Sequence, residues 1–331
     1  MSRSTTTQTV EQPPLQKRQD SLRSWIAKHP WVWSYIAALA AWITISGIAG
    51  RGITGTITST FALAPFLVLV GIGQMMVITL GNGNIDLSLP NVLTLSAFVS
   101  ATVINGQDGL IGFGFLAATG IALVVAAVNS ITILVLRVPP IVATLAVGLI
   151  IQSATLISSD NLTSGLSAGL VSFTRLRIFG ISLLGIIVVL VAIGAGFLLF
   201  RTTFGRSVQA IGQKVEGARL AGLKVNLVIM SSYAISALTA ALAGVLLGAF
   251  SSPNLDLGTP YLLNSITVVV LGGSLIAGGR SNVTGIWGSS IFLLLLLTLL
   301  DVSGATIAIQ NIVKGLLIIL VLVLVGAKRN E

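Results

Sequence analysis

The sequence predicts an all-α integral membrane protein of about ten transmembrane helices with both termini cytoplasmic, and three observations predict it. First, 54% of the 331 residues are hydrophobic and only 8% are charged, with a mean hydropathy of +1.01, whereas about a quarter of the residues of a soluble domain carry charge. Second, a membrane-spanning helix needs about 20 mostly apolar residues. The chain offers ten such stretches, near 33–50, 61–80, 89–105, 110–136, 140–158, 181–200, 226–250, 262–278, 284–302 and 305–326. Third, with the N-terminus inside, fourteen cations fall on the cytoplasmic side (Arg3, Lys17, Arg18, Arg23, Lys28, Arg137, Arg201, Arg206, Lys214, Arg219, Lys224, Arg280, Lys328 and Arg329). Only Arg51, Arg175 and Arg177 fall outside, and Lys314 lies within a span. Lys and Arg are retained on the cytoplasmic side, which selects this orientation over its inverse. The net charge of +9 is therefore explained by topology; membrane lipid is the expected partner, and nucleic acid is not.

Taken in order, residues 1–30 are polar, contain Pro13, Pro14 and five cations, and lack the short apolar core and cleavage site of a secretory signal. They read as a cytoplasmic N-terminal tail. Its end, DSLRSWIAKHPWVWSY, mixes cations with Trp25, Trp31, Trp33 and Tyr35, which fits an interfacial helix and equally an aromatic belt flanking the first span. Residues 31–327 form one polytopic domain, because the intervals between spans are too short for another, and 328–331 are a cytoplasmic C-terminal tail. The least regular stretch is 61–105, where the polar GNGNIDLSLPN interrupts the apolar run. Ser236, Ala240, Gly244 and Gly248 recur at every fourth residue, giving one small-residue face for close helix packing. VITLGNGNIDLSLPNV (77–92) aligns with VVVLGGSLIAGGRSNV (268–283), sharing Gly81/Gly272 and Asn91/Asn282 among other positions. Two readings are open for this alignment, an internal repeat flanking a path through the membrane and chance similarity of apolar, Gly-rich stretches.

The chemistry available is narrow. The chain has no cysteine and one histidine, His29, so disulfides, thiolate sites and histidine clusters are excluded and no metal site is expected. No intramembrane acid pair or activated nucleophile is visible, so no catalytic residue is assigned. Ionisable groups within spans cost roughly 2.5 to 3.5 kcal/mol at mid-helix on insertion scales. Asp86 follows a break in helical structure and reads either as a hinge or gate or as a cap on the helix beginning near Ser88 and Pro90. Lys314, half-way along the last span, either snorkels or pairs with a carboxylate such as Asp301 or Asp86. Gln74, Asn82, Asn84, Asn91, Asn264 and Asn282 complete, with Asp86, the polar residues available to line a path or gate, although polar residues in spans more often bond between helices. A proton- or sodium-coupled carrier needs intramembrane carboxylates, which this chain nearly lacks. It also contains no G-x-x-x-x-G-K-[ST] loop to cradle nucleotide phosphates. A separate ATPase satisfies both observations.

Where such an ATPase would bind is suggested by residues 201–225, RTTFGRSVQAIGQKVEGARLAGLKV, a polar segment between two long apolar runs with five cations against one acid, Glu216. Gly212 permits a turn, 214–221 can make a short helix, small Gly217, Ala218 and Ala221 allow close docking, and Arg219 can reach an acidic partner.

That segment resembles the cytoplasmic loop of ribose-type sugar ABC transporter permeases, in which T-x-F-G-R, A-I-G, A-R and G-I/L-x-V recur in this order. IDLSLPNVLTLSA (85–97), LRVPPIVATLA (136–146) and VVVLGGSLIAGGRSNVTGIWG (268–288) resemble the same family in the same order. The resemblance implies a bacterial inner-membrane permease subunit importing a monosaccharide or related small polyol, with no cofactor of its own and ATP-Mg held by the partner. It implies cytoplasmic ABC ATPase subunits, an extracytoplasmic solute-binding protein and a second permease chain as partners. It also implies an ATPase-coupling element made by Phe204, Gly205, Arg206, Ala210, Ile211, Gly212, Glu216, Ala218, Arg219 and Gly222. The chain departs from the family pattern at Pro90, where Gly is usual and Pro stiffens the expected hinge, and at Gln213-Lys214, where Gly-Asn is usual. These departures leave a homodimeric and a heterodimeric pore both open. Permeases for branched-chain amino acids or nucleosides, and an ion-coupled secondary carrier, are the competing readings.

Overall fold

The computed structural model describes residues 31–49, 53–160, 162, 164–178 and 180–327. The tails assigned to 1–30 and 328–331 lie outside the described residues. In chain order the elements are α1 (Val32–Ala49), α2 (Ile53–Thr79), α3 (Leu89–Ile104), a single 3-10 turn (Asp108–Leu110), α4 (Ile111–Leu134), α5 (Pro140–Asp160) and α6 (Ala168–Arg175). A short antiparallel hairpin, β1 (Arg177–Ile178) and β2 (Ile181–Ser182), leads into α7 (Leu183–Arg201), α8 (Thr203–Gln213), α9 (Val215–Leu220), α10 (Val225–Ser251), α11 (Tyr261–Leu271), α12 (Val283–Val302) and α13 (Ile307–Ala327).

Among the described residues, six helices are long and apolar enough to cross a membrane, namely α2, α4, α5, α7, α10 and α12; α1, α3, α11 and α13 contribute shorter apolar stretches. The all-α membrane class is therefore as expected, but two of the ten predicted spans are not full-length helices. α3 has 16 residues and α11 has 11. At 1.5 Å per residue they reach about 24 and 16 Å, short of a hydrocarbon layer of about 30 Å. The span expected near 262–278 stops at Leu271, because Gly273 adopts a φ of +87° and the chain turns there. Hydropathy continues past this point while the helical hydrogen bonding does not.

α2 is the central element, packed by α7, α10, α11 and α12, and α10 in turn packs on α3 and α4. Phe66, Leu67, Leu69, Ile72, Met75 and Met76 of α2 are fully buried. The small-residue face of α10 meets α3: a Cβ on Gly244 would fall on the Leu93 carbonyl, and one on Gly248 would lie 3.0 Å from the Ala97 Cβ. Contacts along α10 trace how the chain climbs back from the end of α2, with Asn84 at Tyr233, Asp86 at Ser236, Leu93 at Gly244 and Ala97 at Gly248. Hence α3 begins part-way up the bundle, and 80–88 runs non-helically beside the first half of α10. A second dip is made by 252–260, where the Gly258 N–H donates to Thr94 Oγ1 (3.0 Å) in the first turns of α3.

Between α5 and α7 the chain adds an element that was not anticipated, α6 with its hairpin. Ser167 caps α6, and Asp108 Oδ1 accepts from the Gly169 N–H at 2.9 Å, tying the unit to the turn before α4.

Candidate functional site

Non-helical backbone at membrane depth is tolerated only where protein or water satisfies its polar groups. The break at 80–88 is satisfied by protein. Thr144 of α5 accepts from the Leu87 N–H at 3.1 Å and donates to the Ile85 carbonyl at 3.1 Å. Asp86 Oδ1 accepts from both the N–H and the hydroxyl of Ser88 (3.1 and 2.6 Å), while Oδ2 accepts from Ser236 Oγ of α10 at 2.9 Å. Asn129 of α4 donates to Ser88 Oγ at 2.8 Å, and the Tyr233 hydroxyl donates to Asn84 Oδ1 at 3.0 Å. Asp86 thus bonds at the start of α3, as a cap does, and bridges to α10; the buried carboxylate has acceptor work on both oxygens.

Of the polar residues proposed to line a path, Asn84 and Asp86 are brought together in this network. Asn82 is exposed with a φ of +50°. Asn91 faces α5, with Nδ2 2.9 Å from where a Gly148 Cβ would stand. Asn282 caps α12 through its side chain (3.2 Å to the Gly285 N–H). Gln74 is fully buried with neither amide atom hydrogen-bonded, and the side-chain oxygen of buried Asn264 is likewise unpartnered. Lys314 is buried on α13, which packs against α11. It forms no ion pair among the described residues: Asp86 is engaged elsewhere and Asp301 is exposed. Asn129, Thr144 and Tyr233, which hold the break, were not among the sequence candidates. Their only signal is a polar group within an otherwise apolar run.

The break at 272–282, between α11 and α12, is satisfied mostly by its own chain. Leu275 N–H bonds the Arg280 carbonyl (3.0 Å), Gly278 N–H bonds Leu275 (3.0 Å), and Asn282 N–H bonds Ser274 Oγ (3.0 Å).

In the segment 201–225, Thr202 ends α7 and caps α8, its Oγ1 accepting from the Gly205 N–H at 3.2 Å. Gly205 is required by this corner, since a Cβ there would fall on the Leu198 and Leu199 carbonyls. α8 is amphipathic. Val208 and Ile211 are buried and join Val77 near the end of α2 and Leu80 just after it, together with Ala218, Val225, Val228 and Tyr233, with Phe204 packed beside them. Arg206 is exposed and Ala210 half-buried. Gly212 differs from expectation: it makes no turn but lies within α8, and the chain turns instead at Lys214, whose φ is −162°. What Gly212 provides is close approach, for a Cβ would fall on the Thr79 carbonyl and the Gly279 nitrogen. α9 is one residue shorter at each end than the 214–221 helix expected. Gly222, with a φ of +77°, closes it through its N–H to the Arg219 carbonyl at 2.9 Å. Ala218 points into the protein's own core, whereas Glu216, Arg219 and Leu220 face solvent, Leu220 being 91% exposed. Leu220 was not a sequence candidate; an apolar residue between cations carries no distinctive pattern until its exposure is known.

Over residues 56–322 the chain matches the family described as branched-chain amino acid transport system / permease component. The ribose import permease protein RbsC of Bacillus subtilis is 32% identical over 270 residues, 79% of this chain and 81% of that protein. The autoinducer 2 import system permease protein LsrC of Yersinia enterocolitica is 30% identical over 255 residues, 76% of this chain and 70% of that protein. No solved structure matches.

Proposed function

Because the chain belongs to the branched-chain amino acid transport system / permease component family, we propose that it is the membrane permease subunit of a sugar-type ABC importer, moving a monosaccharide or related small polyol inward. It is a transport subunit rather than an enzyme. In this reading all ten apolar helices cross the bacterial inner membrane, α3 and α11 completed by the breaks beside them, with both termini cytoplasmic. ATP-Mg is bound by separate ATPase subunits, solute arrives from an extracytoplasmic binding protein, and a second permease chain completes the pore. The polar residues named above, in particular Gln74 with its unpartnered amide and Asn264 with its unpartnered side-chain oxygen, are the candidates for its path.

The observation that carries the proposal is the geometry of 201–225: α8 is braced on the protein core while α9 presents Glu216, Arg219 and Leu220 outward. An exposed leucine between Arg219 and Lys224 suits a groove with an apolar floor and acidic rim. A monosaccharide is favoured over an amino acid by the ribose permease relative, which is matched over most of both chains; the family's printed description names branched-chain amino acids and supports the second reading. The test is recovery of the tagged chain from native membranes in mild detergent, followed by uptake in liposomes. Co-purification of an ATPase that is lost on Arg219→Glu, with ATP-dependent sugar uptake, is the expected result. Solute movement by the chain alone without ATP would replace this reading with a secondary carrier.

A further inference from the structure

The two similar segments, 77–92 and 268–283, meet in space at their glycines, and α8 meets them at the same point. Gly279 N–H donates to the Thr79 carbonyl at 2.9 Å, joining the second break to the end of α2. A Cβ on Gly81 would stand 2.7 Å from the Ala277 carbonyl oxygen and 2.8 Å from that of Gly212. A Cβ on Gly278 would fall on the backbone of Gly81, and one on Gly212 would fall on Thr79 and Gly279. Gly81 and Gly278 also hold φ values of +69° and +89°, a region that penalises side chains. Three backbones therefore touch with no side chain between them.

We propose that this glycine junction is the link through which movement of α8 and α9 reaches both helix breaks at once, with Gly81, Gly212 and Gly278 as its positioning residues. The inference rests on the permease reading above and adds the route of coupling. A side-chain contact can absorb a small displacement by changing rotamer; a backbone contact at close packing has no such freedom and must pass it on. The alternative route, from α8 through α10, meets the first break at Tyr233 and Ser236 but, among the described residues, makes no hydrogen bond to the second. The junction touches both. One break opens into α3 and the other into α12, so a shift of α8 would reorient the two helices that follow the breaks.

The experiment measures ATP hydrolysis and solute uptake together in liposomes holding the permease and its ATPase. For Gly212→Ala, hydrolysis continues while solute moved per ATP falls by about tenfold, within the range of site-to-site coupling energies. Gly196→Ala on α7, where a Cβ meets nothing within 4 Å, leaves both unchanged. A Gly212→Ala complex with wild-type uptake per ATP overturns the proposal. Hydrogen exchange of the wild-type complex with and without ATP supplies a second readout that does not depend on the variant folding. Protection changing together in 206–213, 80–86 and 273–280 supports the junction; a response in 206–213 with either break unaltered overturns it. Failure of the permease reading is distinguishable, because it shows in the wild-type chain alone as uptake without an ATPase.

Discussion

The two helix breaks begin from similar sequence and are held in different ways. The first, 80–88, draws its hydrogen-bond partners from three other helices, through Asn129, Thr144, Tyr233 and Ser236, around the carboxylate of Asp86. The second, 272–282, closes on itself through Leu275, Gly278 and Ser274 and is tied outward by the Gly279 to Thr79 bond. A break satisfied by distant side chains can move only if those helices move with it. One satisfied locally can tilt as a unit. The first is thus the anchored member of the pair and the second the freer one.

The sharpest way to break that contrast is Asp86→Ala. It strips the acceptor from the Ser88 N–H, Ser88 hydroxyl and Ser236 hydroxyl, and each buried donor left unpaired costs about 1–3 kcal/mol. A large drop in thermal stability and folded yield in detergent is expected, read by size exclusion after heating. Gly244→Ala comes next: its methyl would drive into the Leu93 carbonyl, and overpacking of this kind costs typically about 1–3 kcal/mol. Ser274→Ala, in the second break, removes one bond, to the Asn282 N–H, and is expected to cost about 1 kcal/mol. If Ser274→Ala destabilises as much as Asp86→Ala in the same assay, the contrast between anchored and free breaks fails. The smallest effect on stability belongs to Leu220→Ser, within about 0.5 kcal/mol because the side chain touches solvent, while ATPase co-purification falls. Unchanged co-purification would remove Leu220 from the docking surface.

Much of this architecture is legible in the sequence. The polar interruption at GNGNIDLSLPN marks the first break, the cation-rich 201–225 stands out between apolar runs, and the alignment of 77–92 with 268–283 pairs two segments that do touch. The length of α11 was not legible, because hydropathy records what a residue prefers to contact and says nothing of whether its N–H finds a carbonyl four residues back, whereas α3 fills the 89–105 stretch to within one residue. Nor were the partners of Asp86, of which Ser236 stands 150 positions away. Gly212 illustrates the same limit. As a letter it suggests a turn, and only its neighbours reveal a helical glycine whose missing side chain admits two other backbones.

By itself the sequence determined the membrane class, through the energetic cost of placing charge in hydrocarbon, and the first of the two segments that interrupt the helices, through glycine and polar residues unable to continue an apolar run. The tertiary structure alone decided which polar side chains repair the first break, why the second needs almost none, and that Gly81, Gly212 and Gly278 share one contact. The physical reason is that burial and hydrogen bonding are properties of pairs brought together from distant parts of the chain, whereas hydropathy and backbone preference belong to each residue alone.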